Sequence, residues 1–256
     1  MKHRATPSAC KGMAPKTRRK MKQLLTIMVA LIAVSWTWAR DEAQQKYIQV
    51  DWYPLLTDSV GWNIYSGGLG LGWVDATSTP ANFKTGRSLE LQWLTVVGAK
   101  YNTGRGQRIT AGIGIDWRNY HLGHDERFSR ATDGSVAVSP YPDGSSSRSS
   151  RLRTFTLTVP VIFRQRIGAS IDVAAGVVTD FNVHASIATK YSTDAEGKIR
   201  ENASKHLHQV PVTFDLMTGL SYRHVGAYLK YSPCRVLKKG WGPDIKPLSA
   251  GIVIGL

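Results

Sequence analysis

Thr154-Phe155-Thr156-Leu157-Thr158-Val159 trades a polar for an apolar residue at every step. A period of two puts the apolar side chains on one face of a strand and the hydroxyls on the other. The same alternation recurs outward from this stretch in both directions. It predicts eight strands, at 61–74, 87–101, 107–121, 151–165, 169–189, 208–222, 224–233 and 248–256. Most reach the roughly 9–11 residues that a tilted strand needs to cross a bilayer.

The start of the chain sets the compartment. Leu24 to Val34 is an apolar run of about eleven residues, preceded by Lys20 and Lys22 and followed by Thr37-Trp38-Ala39. That is the three-part pattern of a secretory signal peptide, and it is too short to span a membrane. Met21 opens this leader, so residues 1–20 read as an upstream extension, 21–39 as the signal peptide and 40–256 as the mature domain. The sequence does not decide between Met1 and Met21 as the start. Eight of the 33 Lys/Arg and none of the 18 Asp/Glu lie in residues 1–39, so cleavage after Ala39 lowers the net charge from +15 to +7. A nucleic-acid partner thereby loses half of its electrostatic basis. Cys10 leaves with the leader, and Cys234 is expected to remain without an intrachain partner.

The links between strands alternate in length. Asn102-Thr103-Gly104-Arg105-Gly106, Arg166-Ile167-Gly168 and Arg223-His224 are tight hairpins, whereas 75–86, 122–150, 190–207 and 234–247 are long. An outer-membrane barrel has short periplasmic turns and long external loops. The expected fold is therefore all-β: an eight-stranded antiparallel up-and-down transmembrane β-barrel, in the outer membrane, with both termini periplasmic. The segment Tyr47–Tyr53 also reads as a strand, but a ninth would break the parity, and its place stays open.

The faces carry further expectations. Leu89, Leu91, Trp93, Val97, Ala99 and Tyr101 oppose Glu90, Gln92 and Lys100, and the other strands repeat the division. The inward set supplies a charge network: Glu90, Lys100, Asp116, Arg118, Arg164, Asp172, Asp180, Asp215 and Lys230, with His184 beside them. Eight strands enclose a space about wide enough for side chains to fill, so opposite charges there should pair and close the lumen. Trp62, Tyr101 and Tyr222 at one end, and Trp73, Trp117, Tyr120 and Tyr191 at the other, read as aromatic girdles.

Several phrases resemble the PorT-like outer-membrane β-barrel family of Bacteroidota. They are Leu157-Thr158-Val159-Pro160-Val161-Ile162-Phe163, Ala175-Gly176, and Tyr228-Leu229-Lys230-Tyr231-Ser232 before a glycine-containing last strand. The resemblance covers most of the mature chain, through barrel grammar rather than active-site chemistry. It implies a structural or accessory envelope role in protein secretion or surface assembly.

No phosphate loop, paired-cysteine metal site or nucleophile elbow is present, so the sequence indicates no catalytic residues, cofactor or metal. The glycines of Gly67-Gly68-Leu69-Gly70-Leu71-Gly72 fit strand curvature better than a nucleotide fingerprint, for no helix follows. His121, His124, Asp125 and Ser129 keep a lipid A-modifying enzyme as one alternative, and a small-solute channel is the other. His206 and His208 are too few to hold a metal. Arg235, Lys238 and Lys239 in the last long link are candidate lipopolysaccharide contacts through charge-assisted bonds to phosphate. The expected partners are outer-membrane lipid, lipopolysaccharide and an unidentified envelope protein, with no nucleic acid, and the chain is expected to be a monomer.

Overall fold

The computed structural model describes residues 60–77, 83–131, 133–168, 170–194, 197–203 and 207–255. The residues expected to form a leader and an upstream extension, and the segment 47–53, lie outside the described residues. The chain is all-β. Eight long strands are β1 (Gly61–Ala76), β2 (Leu89–Asn102), β3 (Gln107–His121), β6 (Ser146–Ile167), β7 (Ile171–Thr193), β9 (Val212–Tyr222), β10 (Val225–Tyr231) and β11 (Pro247–Ile254). The three shorter ones are β4 (Glu126–Arg130), β5 (Val136–Pro140) and β8 (Gly197–Ala203).

The long strands form one closed antiparallel ring in chain order, β1-β2-β3-β6-β7-β9-β10-β11, with β11 returning to β1. No strand of the ring has a free edge, so its backbone groups find partners without water. Short links (103–106, 168–170 and 223–224) gather at one end of the ring and long ones at the other. The long links are less irregular than the sequence suggests. Between β3 and β6, β4 and β5 pair as a hairpin, and β8 pairs with the extended end of β7.

Local irregularities have local causes. The β3–β6 ladder skips from Ala111–Val161 to Gly114–Thr158, where Pro160 has no N–H to give. The glycine run lies in β1, with a bulge between Tyr65 and Gly67. Gly68 there has φ +78°, a left-handed conformation that favours glycine. In β7 the extra residue Val183 bulges opposite Phe155 and Thr156 of β6 and reverses which side chains of β7 point inward.

The ring is apolar outside, and its inside holds buried polar and charged side chains together with two apolar layers. Among the described residues 28 large apolar side chains are exposed, and all but Val60 lie on the eight ring strands. They form a continuous band: Leu71, Leu91, Ile113, Val161, Val177, Leu229 and Ile252 run round its middle. Trp62, Tyr101 and Tyr222 mark its short-link edge, and Trp73 and Trp117 its long-link edge. Two girdle residues need correction. Tyr120 is buried because it shares the parity of Asp116 and Arg118, and Tyr191 is buried because of the β7 bulge.

The apolar side chains that are buried close the ring. Val74, Tyr120, Leu152 and Ile187, inward on four strands, meet Phe128, Val136, Leu207, Leu237 and Ile245 from the long links in one cluster across the mouth. Backbone and hydroxyl bonds fix the hairpin there. Ser150 Oγ accepts from Phe128 N at 2.9 Å, and Thr189 Oγ1 donates to Phe128 O at 3.0 Å. A second apolar layer, including Leu94, Ile162, Val178, Met217, Tyr228 and Val253, fills the ring lower down.

Candidate functional site: the charged interior and the rim of the ring

Strand alternation turns every second side chain inward, some of them charged, and ring closure brings those positions face to face. Towards the long-link end Arg118 of β3 is the hub. Its guanidinium reaches Glu90 at 3.0 Å, Asp116 at 2.7 Å, Asp180 at 3.3 Å and Asp215. Lys230 of β10 joins Glu90 and, at 2.6 Å, Asp116, and also donates to Gln92 at 3.1 Å. The Tyr228 hydroxyl donates to Glu90 at 2.9 Å. Five strands thus meet through one cluster in which all six charged groups are buried. Four carboxyl groups share two cations, and one oxygen each of Asp116, Asp180 and Asp215 has no hydrogen-bond partner.

A second group lies near the short-link end, below the apolar layer. Asp172 pairs with Arg108 at 2.7 Å and Arg166 at 3.2 Å. Arg164 donates to the Tyr65 hydroxyl at 3.2 Å, and that hydroxyl donates to Gly255 O at 3.3 Å. Lys100 and Arg164 both lie over the Tyr65 ring, at 5.8 and 5.5 Å. This group is mainly basic and the upper one mainly acidic.

The nine residues expected to face inward are all buried: Glu90, Lys100, Asp116, Arg118, Arg164, Asp172, Asp180, Asp215 and Lys230. They form two groups rather than one. His184 is not among them, for the bulge at Val183 turns it outward and leaves it exposed. Arg108, the residue that ties down Asp172, escaped the sequence reading although it has the parity of Asp116. At the upper end Arg118, Tyr120, Thr154, Asn182, Thr213 and Ser232 line a space of only about 10 Å³. That is at or below the roughly 10–15 Å³ needed to hold one water.

Small side chains let this interior fill. A Cβ at Gly72 would overlap the Tyr228 hydroxyl and lie 2.7 Å from Ala250 O. We expect Gly72→Ala to push Tyr228 off Glu90 and to lower stability by about 1–3 kcal/mol, the usual cost of overpacking. Denaturant unfolding of the variant beside Tyr228→Phe checks this; if Gly72→Ala were neutral, the packing described here would be wrong.

The residues considered for lipid A chemistry lie at the end of β3 and in the long link after it. His124 and Asp125 are exposed, and Asp125 lies 3.4 Å from Arg148. The Ser129 hydroxyl donates to Ala137 O at 3.4 Å and accepts from Ser139 at 3.1 Å. His208 stacks on Trp241 with ring centroids 3.6 Å apart, and His206 lies outside the described residues. Of the candidate lipopolysaccharide contacts, Arg235 is held by Asp244 at 2.8 Å, while Lys238 and Lys239 are exposed. Cys234, expected to lack a partner, is buried and disulfide-bonded.

One further cluster lies on the outer face of the long-link rim. Asn119 of β3 pairs with Leu89 of β2 on one side and Arg153 of β6 on the other, and His121 pairs with Arg151. Together with Arg87 and Trp117 they line an open groove of about 360 Å³ that contains no acidic residue.

No known family model matches the chain, and among curated proteins no relative is found.

Proposed function

We propose that this chain is a small integral outer-membrane β-barrel with a structural or accessory role in the envelope, its lumen closed to solutes. The observation that carries this reading is the inverted ring: a continuous exposed apolar band around a buried, charged interior. Soluble monomers rarely expose apolar patches beyond a few hundred Å². A bilayer rewards such a band, and a closed ring is the strand architecture that lipid tolerates. The aromatic residues at both edges of the band suit the two headgroup levels. The even strand number and the leader read from the sequence favour both termini in the periplasm, with the long links outside. A role in secretion or surface assembly, a monomeric state and an envelope protein partner belong to the same proposal.

The filled interior speaks against the channel alternative. We expect the refolded protein to migrate differently on gels before and after boiling, and to show almost no conductance in planar bilayers. A stable open channel would contradict the closed lumen, since a conducting path needs far more space than the upper cluster leaves.

A further inference from the structure

We propose that the groove on the outer rim, between Arg87, Arg151 and Arg153, binds a phosphate group of an outer-leaflet glycolipid such as lipid A. The inference rests on the membrane reading above and names the lipid chemistry that one face of the ring selects.

Three cations converge here from separate elements. Arg87 ends a short 3-10 turn, Thr85–Arg87, before β2, and Arg151 and Arg153 stand two residues apart on β6. On a strand that spacing puts both on one face. None of the three makes an ion pair among the described residues, whereas the buried cations of the interior all lie against acids or a tyrosine ring. The Nε of Arg153 is buried without a hydrogen-bond acceptor. A buried unpaired donor is costly, so an anion at this place would relieve it. No lining residue is acidic, so nothing in the groove repels an anion.

The height of the groove selects the ligand. Leu89 and Trp117 belong to the long-link edge of the apolar band and also line the groove. Trp117 stacks edge-on with Phe155 at 6.4 Å, and Arg153 lies two residues beyond Phe155. A lipid whose chains lie along the band would bring its phosphate to the guanidinium groups just above. Arginine forks match phosphate oxygens in pairs, and three of them outweigh a single screened surface contact. The backbone beneath is held, for Ser88 Oγ accepts from His121 N at 2.9 Å.

Native mass spectrometry of the refolded protein in detergent tests this with three probes: bisphosphorylated lipid A, the same lipid stripped of phosphate, and inorganic phosphate. The protein is expected to retain bisphosphorylated lipid A, and to retain the stripped lipid at least about tenfold less. Arg87→Gln/Arg151→Gln/Arg153→Gln should lower retention of bisphosphorylated lipid A by a similar factor, and added salt should do the same. Arg105→Gln, at an exposed position in the short link at the other end of the ring, should leave it unchanged. Arg87→Gln alone, at an exposed position, should lower it measurably in case the triple variant folds poorly. Equal retention by wild type and the arginine variants, or equal retention of both lipids, would overturn the site. Saturation by inorganic phosphate with no preference for lipid would overturn the lipid assignment. A wild-type protein that does not insert into lipid vesicles would refute the membrane reading itself; normal insertion with no arginine dependence would refute this site alone.

Discussion

Replacing Arg118 with methionine is expected to lower stability by about 3–5 kcal/mol, the range seen when one partner of a buried ion pair is removed. The cause is the number of carboxyl groups that depend on it. Glu90, Asp116, Asp180 and Asp215 all lie within ion-pair distance of this guanidinium, and Lys230 reaches only two of them. Without Arg118, Asp180 and Asp215 stay buried with no cation in contact. Arg118→Lys should recover only part of the loss, because one ammonium cannot reproduce a fork that contacts residues on four strands. Adding Asp215→Asn to Arg118→Met should be less harmful than two independent losses, since the second change removes a charge that the first left unpaired. Urea unfolding in vesicles, followed by the gel shift on boiling, measures each variant. A loss below about 1 kcal/mol for Arg118→Met would mean that water reaches the cluster and that the interior is not closed.

The second large effect is on the opposite face. Ile113 sits in the middle of β3 and is 55% exposed. In water Ile113→Arg would be a surface substitution, worth no more than about 0.5 kcal/mol in either direction. In a bilayer it would place a guanidinium near the midplane, at a cost of about 2–4 kcal/mol. The same change at Trp62, on the short-link edge of the band, should cost less, because a long cationic side chain there reaches the interface. This gradient with depth is expected of lipid and has no reason to exist in water.

Much of this was readable in the sequence because a strand writes its two faces in alternate letters. Glu90, Asp116, Arg118 and Lys230 are inward because they alternate with Leu91, Ile115, Trp117 and Leu229. The same rule would have shown Arg108 and Tyr120 to be inward. Where alternation slips, the reading fails. The bulge at Val183 is one added residue in β7 with no special composition, and it sends His184 outward and Tyr191 inward. Three-dimensional partnerships were less legible. That Arg118 would serve four carboxyl groups depends on ring closure and stagger. The cap of Phe128, Leu237 and Ile245 joins links far apart in sequence. The rim arginines lie within the predicted strands 87–101 and 151–165, far apart in sequence. Their proximity follows from the register of β3 against β2 and β6, and no local pattern announces it.

The central claim is that the outer face of the ring lies in hydrocarbon. Trp93, on β2 between Leu69 and Ile115 in the ladder, reports on the middle of the band, and Trp241 reports on the last long link. Two single-tryptophan proteins, one keeping each residue, should be reconstituted in vesicles whose lipids carry bromine on their acyl chains. Trp93 fluorescence is expected to be strongly quenched by the bromolipid and little affected by iodide in the water, with the reverse for Trp241. Trp93 that is quenched by iodide and untouched by brominated chains would contradict the account.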